Sequence, residues 1–293
     1  MENKKKILFI INPISGIGKQ KNIESVIFRK LDLIKFDYSI KYTQYPHHAI
    51  EIAKEAAEKG IDIVVAVGGD GSINDVASSI LKSNTAMAII PAGSGNGLAN
   101  YLNIPLNISK AIKIINSCKI LEIDTATLNG NSFISIAGMG FDAVIAEKFA
   151  LTKLRGFWAY LKITIREFFK YSPQEFTISF DNKQIKRTAL LVSFANSNQF
   201  GFNISIAPKA SVTDGYIDLC VISKMSALKL AMISPKLFLK NIQKSKKVEI
   251  FRIKDAVVSC EIPEECHVDG DANGKINEAV VKIYPKSLKI VIP

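Results

Sequence analysis

The chain has 293 residues, 48% of them hydrophobic and 22% charged, with a formal net charge of +11. That length exceeds one ordinary core and predicts two domains, and the composition excludes a disordered chain. No apolar run approaches the ~18 residues of a spanning helix, four scattered cysteines form no CxxC pair, and three histidines make no zinc pattern, so a membrane-spanning, disulfide-framed or zinc-dependent protein is not expected.

The first predicted element is a strand over 7–11. The lysines of "MENKKKILFIINP" imitate a signal peptide, but the apolar part is short, ends at Asn12-Pro13 and has no cleavage site, which points to a cytoplasmic chain. Further strands follow over 38–42, 61–67, 87–90 and 120–124, with helices near 20–34, 47–59, 73–82 and 108–116. This alternation predicts a three-layer α/β domain over residues 1–124 with a mostly parallel sheet. Helical segments then cover 141–170 and 226–243. The remainder reads as short strands over 132–137, 175–180, 187–195, 203–207, 216–223, 248–253, 256–260, 280–284 and 288–292. Residues 125–293 therefore form an antiparallel β-sandwich domain, whose last strand is free to return to the first domain.

Three strand ends of the first domain are rich in small residues, and ligands of open parallel sheets bind at such ends. "NPISGIGK" (12–19) fails the P-loop pattern, because Pro13 and Gln20 stand where Gly and Ser/Thr are needed. It keeps a Ser-Gly-x-Gly approach to a helix, whose free N–H groups attract phosphate. In "AVGGDGSIND" (66–75), glycines 68, 69 and 71 admit a bulky anion to the backbone, Asp70 supplies a carboxylate for a metal or a sugar hydroxyl, and Ser72 is the expected helix N-cap. "PAGSGNGLA" (91–99) is the third loop. Together the three predict a nucleotide polyphosphate site. Later, "GMGFDA" (138–143) formally fits a dinucleotide fingerprint in the wrong context and reads as an interdomain turn presenting Asp142 to a substrate. "HVDGDANG" (267–274) is open between two aspartates on one side of a strand and a glycine hairpin with solvated aspartates.

The positive charge is concentrated. Residues 148–170 carry six Lys/Arg against one acid, and residues 223–247 carry seven lysines and no acid, so the rest of the chain nets −1. Both segments hold large apolar residues at helical spacing, as in basic amphipathic helices that rest on an anionic membrane surface. A helix packed on its own domain with a solvated lysine face is the plainer alternative. No nucleic-acid recognition motif is present.

The motifs "NPISG", "GGDGSIND", "PAGSGNGLA", "ASVTDGYIDL" and "HVDGDA", in that order, resemble those of the diacylglycerol kinase catalytic family, which includes bacterial lipid kinases and the sphingosine and ceramide kinases. The resemblance implies ATP- and Mg2+-dependent phosphorylation of a lipid hydroxyl in a cleft between the two domains. By position it implies a nucleotide site of Asn12, Pro13, Ile14, Ser15, Gly16, Thr43, Gly69, Asp70, Gly71, Ser72, Ile73, Asn74, Asp75 and Ser94. Asp70 would act on magnesium or on the attacking hydroxyl, Asp269 or Asp271 would accept the proton, and Ser211, Asp214 and Tyr216 would hold a structural magnesium. Two positions depart from the family pattern. Asp271 stands where glutamate is usual, and Gly97 stands where bacterial diacylglycerol kinases often have Asp, which brings "GSGNGLA" nearer the sphingosine and ceramide kinases. The expected partners are a lipid substrate and the inner face of an anionic membrane, bound peripherally; a homodimer stays open. The rival readings are an NAD kinase, which shares the GGDG loop, and a catalytically silent nucleotide- or lipid-binding regulator.

Overall fold

A computed structural model describes residues 4–15, 22–152, 156–199 and 204–293. The chain divides into two compact units, Met1–Ile123 with Lys286–Pro293, and Asp124–Pro285. The break falls one residue before the expected one, and the C-terminal segment does return to the first unit.

The first unit contains β1 (Lys5–Ile11), α1 (Ile23–Lys30), β2 (Phe36–Tyr42), α2 (His48–Glu58), β3 (Ile63–Gly68), α3 (Asp70–Ser79), β4 (Ala86–Pro91), α4 (Gly97–Tyr101) and α5 (Ile108–Ser117). β3 and β4 are buried along their whole lengths, as parallel strands covered on both faces must be. β1 pairs in parallel with β2 on one side and β3 on the other, and β3 pairs in parallel with β4. The chain thus moves outward from β1 to β2 and then back across to β3. Right-handed crossovers on that path put α1 and α2 on opposite faces. Consistent with this, α2 packs on α3 and α1 on α5. The reversal lies between β1 and β3, and the carboxyl ends of those strands are where an open sheet leaves a ligand crevice.

Two local features differ from expectation. α3 begins at Asp70, with Gly69 rather than Ser72 as N-cap, because extended Gly69 (φ −92°, ψ −171°) lets an acidic residue start the helix, where its charge suits the helix dipole. The third glycine loop is also not all loop, since α4 starts within it at Gly97.

β5 (Ile120–Leu128) leads into the second unit, which continues with β6 (Asn131–Phe133), β7 (Ile136–Gly140), α6 (Phe141–Leu151), α7 (Phe157–Phe168), β8 (Gln174–Phe180), β9 (Lys183–Ala195), β10 (Ile217–Ser223), α8 (Ala227–Phe238), a 3-10 turn (Ile242–Lys244), β11 (Val248–Ile253), β12 (Asp255–Val268) and β13 (Asp271–Val291). Its pairings are antiparallel. β8 and β7 lie end to end in one lane between β9 and β12: Ser179 of β8 faces Gln184 and Val257, and Gly138 of β7 faces Ser193 and His267. The chain joining these two strands leaves the sheet at the break in the lane and forms α6 and α7. Side chains alternate between the two faces. On β10, Leu219 and Val221 enter the core around Phe133, Phe176 and Phe194, whereas Cys220 and Ile222 enter the core beneath the helices.

The segment expected as one strand over 132–137 is two short strands, and Ile204 makes only an isolated bridge where a strand was expected. The two expected C-terminal strands are one, passing through Pro285 where the chain leaves the second unit. "GMGFDA" is a strand-to-helix junction inside that unit, not an interdomain turn.

Candidate active site

In the first unit three loops are bound to each other largely through backbone. Thr43 N–H donates to Ile11 O (2.9 Å), Asn12 N–H to Val67 O (3.0 Å) and Ala92 N–H to Gly68 O (2.8 Å), so the segments after β1, β2, β3 and β4 are held side by side. Asn12 closes its own turn by accepting from Ile14 N–H (3.1 Å), and its Nδ2 donates to Ser72 Oγ (3.1 Å). Gly68 lies so close to Ser72 that a Cβ there would meet the serine side chain at 2.6 Å, and a Cβ on Gly93 would lie 2.5 Å from Gly69 Cα. Glycine at these positions is therefore a packing requirement.

Asp70 clasps the second loop to the third. Its Oδ2 accepts from Asn96 N–H (2.8 Å) and its Oδ1 from Gly97 N–H (2.7 Å), at the start of α4. Asn96, in the left-handed region (φ 52°) and buried, ties off the same loop by accepting from Gly93 N–H (2.9 Å) and donating to Gly93 O (2.7 Å). The result is a set of closely joined turns with small side chains. Pro13 and Ser94 are exposed there, and Ile14 is 89% exposed. Asn74 and Asp75 follow on the first turns of α3, and Asp75 pairs with His47 (2.9 Å). Gly71 is half-buried at the helix start. The Ile73 side chain lies in the core, so only its backbone is available to a ligand. Gly16 lies outside the described residues.

The acidic pair of the second unit is divided by a hairpin. Asp269 (φ 47°) and Gly270 (φ 90°) form a two-residue turn between β12 and β13, the left-handed pair that a tight hairpin requires. Asp269 and Asp271 therefore do not share one side of a strand. Asp269 accepts three backbone N–H bonds, from Ile134 (2.9 Å), Ser135 (2.8 Å) and Ile136 (2.9 Å), which staples the hairpin to the connection between β6 and β7. Asp271 is exposed at the start of β13.

Asp142, on the first turn of α6 beneath the break in the lane, is buried. It accepts from Ser193 Oγ of β9, from Ala143 N–H (2.9 Å) and from His267 Nε2 of β12 (3.2 Å). Gly270 N–H donates to His267 Nδ1 (3.3 Å), so the imidazole proton sits on Nε2 and points at the carboxylate. A Cβ on Gly138 would lie 2.5 Å from Asp142 Oδ2, which explains that glycine. Asp142 also lines a cavity of about 530 Å3 enclosed by α6, α7, α8, β9 and β10, with walls such as Phe141, Phe157, Phe168, Leu191 and Leu237. It is the one charged residue among the described residues of that lining. Burial raises the Tyr160 phenol of the same wall well above its ordinary range, so it stays a neutral hydroxyl.

The residues expected to hold a structural magnesium are engaged with protein groups. Asp214 Oδ2 accepts from Arg252 Nη2 (2.6 Å) and its Oδ1 from Tyr216 N–H (3.0 Å), while Ser211 Oγ pairs with Thr213 Oγ1 (3.2 Å). Arg252 also lies over the Tyr216 ring, 4.4 Å from its centre. A guanidinium supplies positive charge at this turn. Among the described residues no group of three or more His, Cys, Asp or Glu side chains could hold a metal ion.

Sequence reasoning did not single out Asn96, Ser193, His267 or Arg252. Asn96 carried a signal, as an amide between glycines at a strand end, whereas Ser193 and Arg252 carried none.

Residues 6–128 match the family described as the diacylglycerol kinase catalytic domain, and residues 135–292 match the YegS C-terminal NAD kinase beta sandwich-like domain. A diacylglycerol kinase of Bacillus subtilis is 26% identical over 294 residues, covering 99% of this chain and 97% of that protein. An uncharacterized protein of Synechocystis is 29% identical over 308 residues, covering 97% and 69%. A crystal structure of a diacylglycerol kinase from Bacillus anthracis covers 100% of this chain and 98% of its own, with a TM-score of 0.77 at 21% identity, a likeness of fold alone. With both of its parts matched in order, the chain belongs to the diacylglycerol kinase catalytic-domain family of lipid kinases.

Proposed function

We propose that the protein transfers the γ-phosphate of ATP, taken as its magnesium complex, to a hydroxyl of a lipid whose hydrocarbon part enters the cavity of the second unit. The observation that carries this reading is the cavity itself. Its volume of about 530 Å3 lies in the range of ligand pockets, its described walls are apolar, and a single carboxylate stands among them. A hydrocarbon chain suits such walls, whereas NAD would have to bury phosphates and ribose hydroxyls against them without partners, at several kcal/mol for each unpaired group.

The joined loops around Gly69, Asp70, Gly93 and Gly97 are assigned to the triphosphate. Phosphoryl transfer asks mainly for positioning and charge neutralisation, and loops fixed to each other through glycine contacts and Asp70 supply positioning before the ligand arrives. Asp142, which accepts from Ser193 and His267, is positioned to accept a further hydrogen bond from a polar group of the lipid. Asp271 is assigned as the proton acceptor, because Asp269 spends its oxygens on three amides while the Asp271 carboxylate is exposed.

We also propose peripheral binding to an anionic bilayer at the cytoplasmic face. α7 and the adjoining residue leave Trp158, Ile165 and Phe169 exposed, and α8 with its cap leaves Leu228, Met232 and Leu239 exposed, with Lys229 and Lys240 beside them. Both helices thus line the cavity and offer apolar residues to solvent, Ile165 and Phe169 within the lining and Trp158, Leu228, Met232 and Leu239 outside it, as interfacial helices do. Among the described residues no helix is long and apolar enough to cross a membrane. Incubation with labelled ATP, Mg2+ and a total lipid extract tests the reaction: a labelled lipid supports it, and label on NAD instead overturns it.

A further inference from the structure

The tip of the hairpin that carries Asp271 has little ladder of its own. Two rungs, Val268 with Asp271 and His267 with Ala272, join β12 to β13 before the register slips between His267 and Glu265, where β13 runs one residue long and passes through Gly274 (φ 77°). A pairing this short is marginal by itself, so side chains that grip the turn decide where Asp271 stands. Asp269 fastens the first half of the turn through its three N–H bonds to 134–136. The second half is met by the imidazole of His267, whose Nδ1 accepts the Gly270 N–H (3.3 Å). The other ring nitrogen lies 3.2 Å from Asp142 Oδ2, and the two side chains are 2% and 4% exposed. They meet over Gly138, where a Cβ would stand 2.5 Å from Asp142 Oδ2 and 3.1 Å from His267 Nε2. The donors run one way, from Gly270 N–H to Nδ1 and from Nε2–H to the carboxylate that lines the chamber, so each bond polarises the next.

We propose that His267 is a positioning residue for the phosphoryl transfer: it fixes Asp271 relative to Asp142, so that the proton acceptor and the carboxylate that receives the lipid keep one geometry. The ring is a rigid spacer with an acceptor on one edge and a donor on the other, and burial leaves it no water to exchange these partners for. This role rests on the reading of Asp142 as a lipid contact and Asp271 as the base, and goes beyond it by naming what joins them.

Two conservative variants divide the link, with labelled ATP, Mg2+ and the lipid that the native protein phosphorylates as the assay. In His267→Asn the side-chain oxygen takes the place of Nδ1 and can still accept from Gly270, while the amide falls short of Asp142; the KM for lipid should rise about tenfold and kcat should hold. In His267→Gln the amide nitrogen reaches the place of Nε2 and can still donate to Asp142; kcat should fall by up to about 10²-fold, as displacement of a reacting group by about 1 Å does, with a smaller change in KM. Because His267 acts through Asp271, adding His267→Gln to Asp271→Asn should lower kcat no further. Variants in which kcat and KM move together by the same factors, or losses that multiply in the double variant, overturn the role in favour of a general loosening of the fold. The imidazole 15N shifts of the native protein give a check that needs no variant: a proton on Nε2 with Nδ1 bare is expected, and a proton on Nδ1 overturns the link to Gly270. A native protein that phosphorylates no lipid removes the kinase reading and this role with it, whereas an active native protein with unsplit variants removes the role alone.

Discussion

The two units build their sites by different means. The first uses backbone: glycines that let chain meet chain, main-chain hydrogen bonds from one strand end to the next, and Asp70 turned to fasten one loop to another while Asn96 ties off its own. The second uses side chains drawn from remote strands. Asp142, Ser193 and His267 come from α6, β9 and β12, and the cavity beside them is lined from three helices and two strands. A backbone site is written in local sequence, because a glycine needed for close approach must appear where the approach occurs. A side-chain site is written in pairings that appear only once strands are in register.

The sharpest way to test the assignment of roles is at the hairpin, where two aspartates sit two residues apart in different employment. Asp271→Asn should reduce turnover by about 10²–10⁴-fold, the usual contribution of a positioned base, with ATP binding and thermal midpoint retained. Asp269→Asn should lower the midpoint, because an amide cannot accept all three N–H bonds now made to the carboxylate. Full turnover in the Asp271 variant, measured with labelled ATP, would remove it as the base.

Breaking the backbone site should have the next largest effect. Gly93→Ala puts a Cβ 2.5 Å from Gly69 Cα, against backbone that cannot rotate away, and overpacking of this kind costs about 1–3 kcal/mol. ATP affinity should fall by about tenfold or more in fluorescence titrations, while vesicle binding by the second unit is unchanged. A Gly93→Ala protein that binds ATP normally would show that the loops are not held by that contact.

What could be read in advance follows the same division. The strand–helix alternation and the three glycine loops were legible, because buried parallel strands are continuous apolar runs and the loops carry residues of little other use. The start of α3 was misplaced because Ser72 looks like a cap, whereas its hydroxyl serves Asn12. The employment of Asp269 was not legible, since its partners lie about 135 residues away on another connection. His267 was noticed only as a residue without a zinc pattern, and its role depends on β12 lying beside β7. Its contribution can be measured. His267→Leu leaves a buried carboxylate one donor short, worth about 1–3 kcal/mol, and should lower thermal stability and raise the KM for lipid more than that for ATP. His267→Gln, whose amide can still donate, should recover part of both. Equal effects on the two KM values would reduce the network to a structural one.

The smallest expected effect concerns Arg252, and it separates this chain from what family resemblance implies. If the guanidinium supplies the charge at the Asp214 turn, chelation of divalent ions should leave the thermal midpoint of the native protein unchanged. Asp214 and Arg252 are partly exposed, so the ion pair itself contributes no more than about 1 kcal/mol, and the stacking on Tyr216 adds a comparable amount. Arg252→Met should therefore lower the midpoint only slightly. It also removes the competing cation, so added Mg2+ should now stabilise the variant where it did not stabilise the native chain. A native midpoint that falls on chelation, with Arg252→Met behaving no differently, would mean that Asp214 holds a metal after all and that the arginine is a bystander. The outcome matters for the comparison between the units, because a side chain from β11 standing in for an ion is one more part of the second unit that local sequence does not announce.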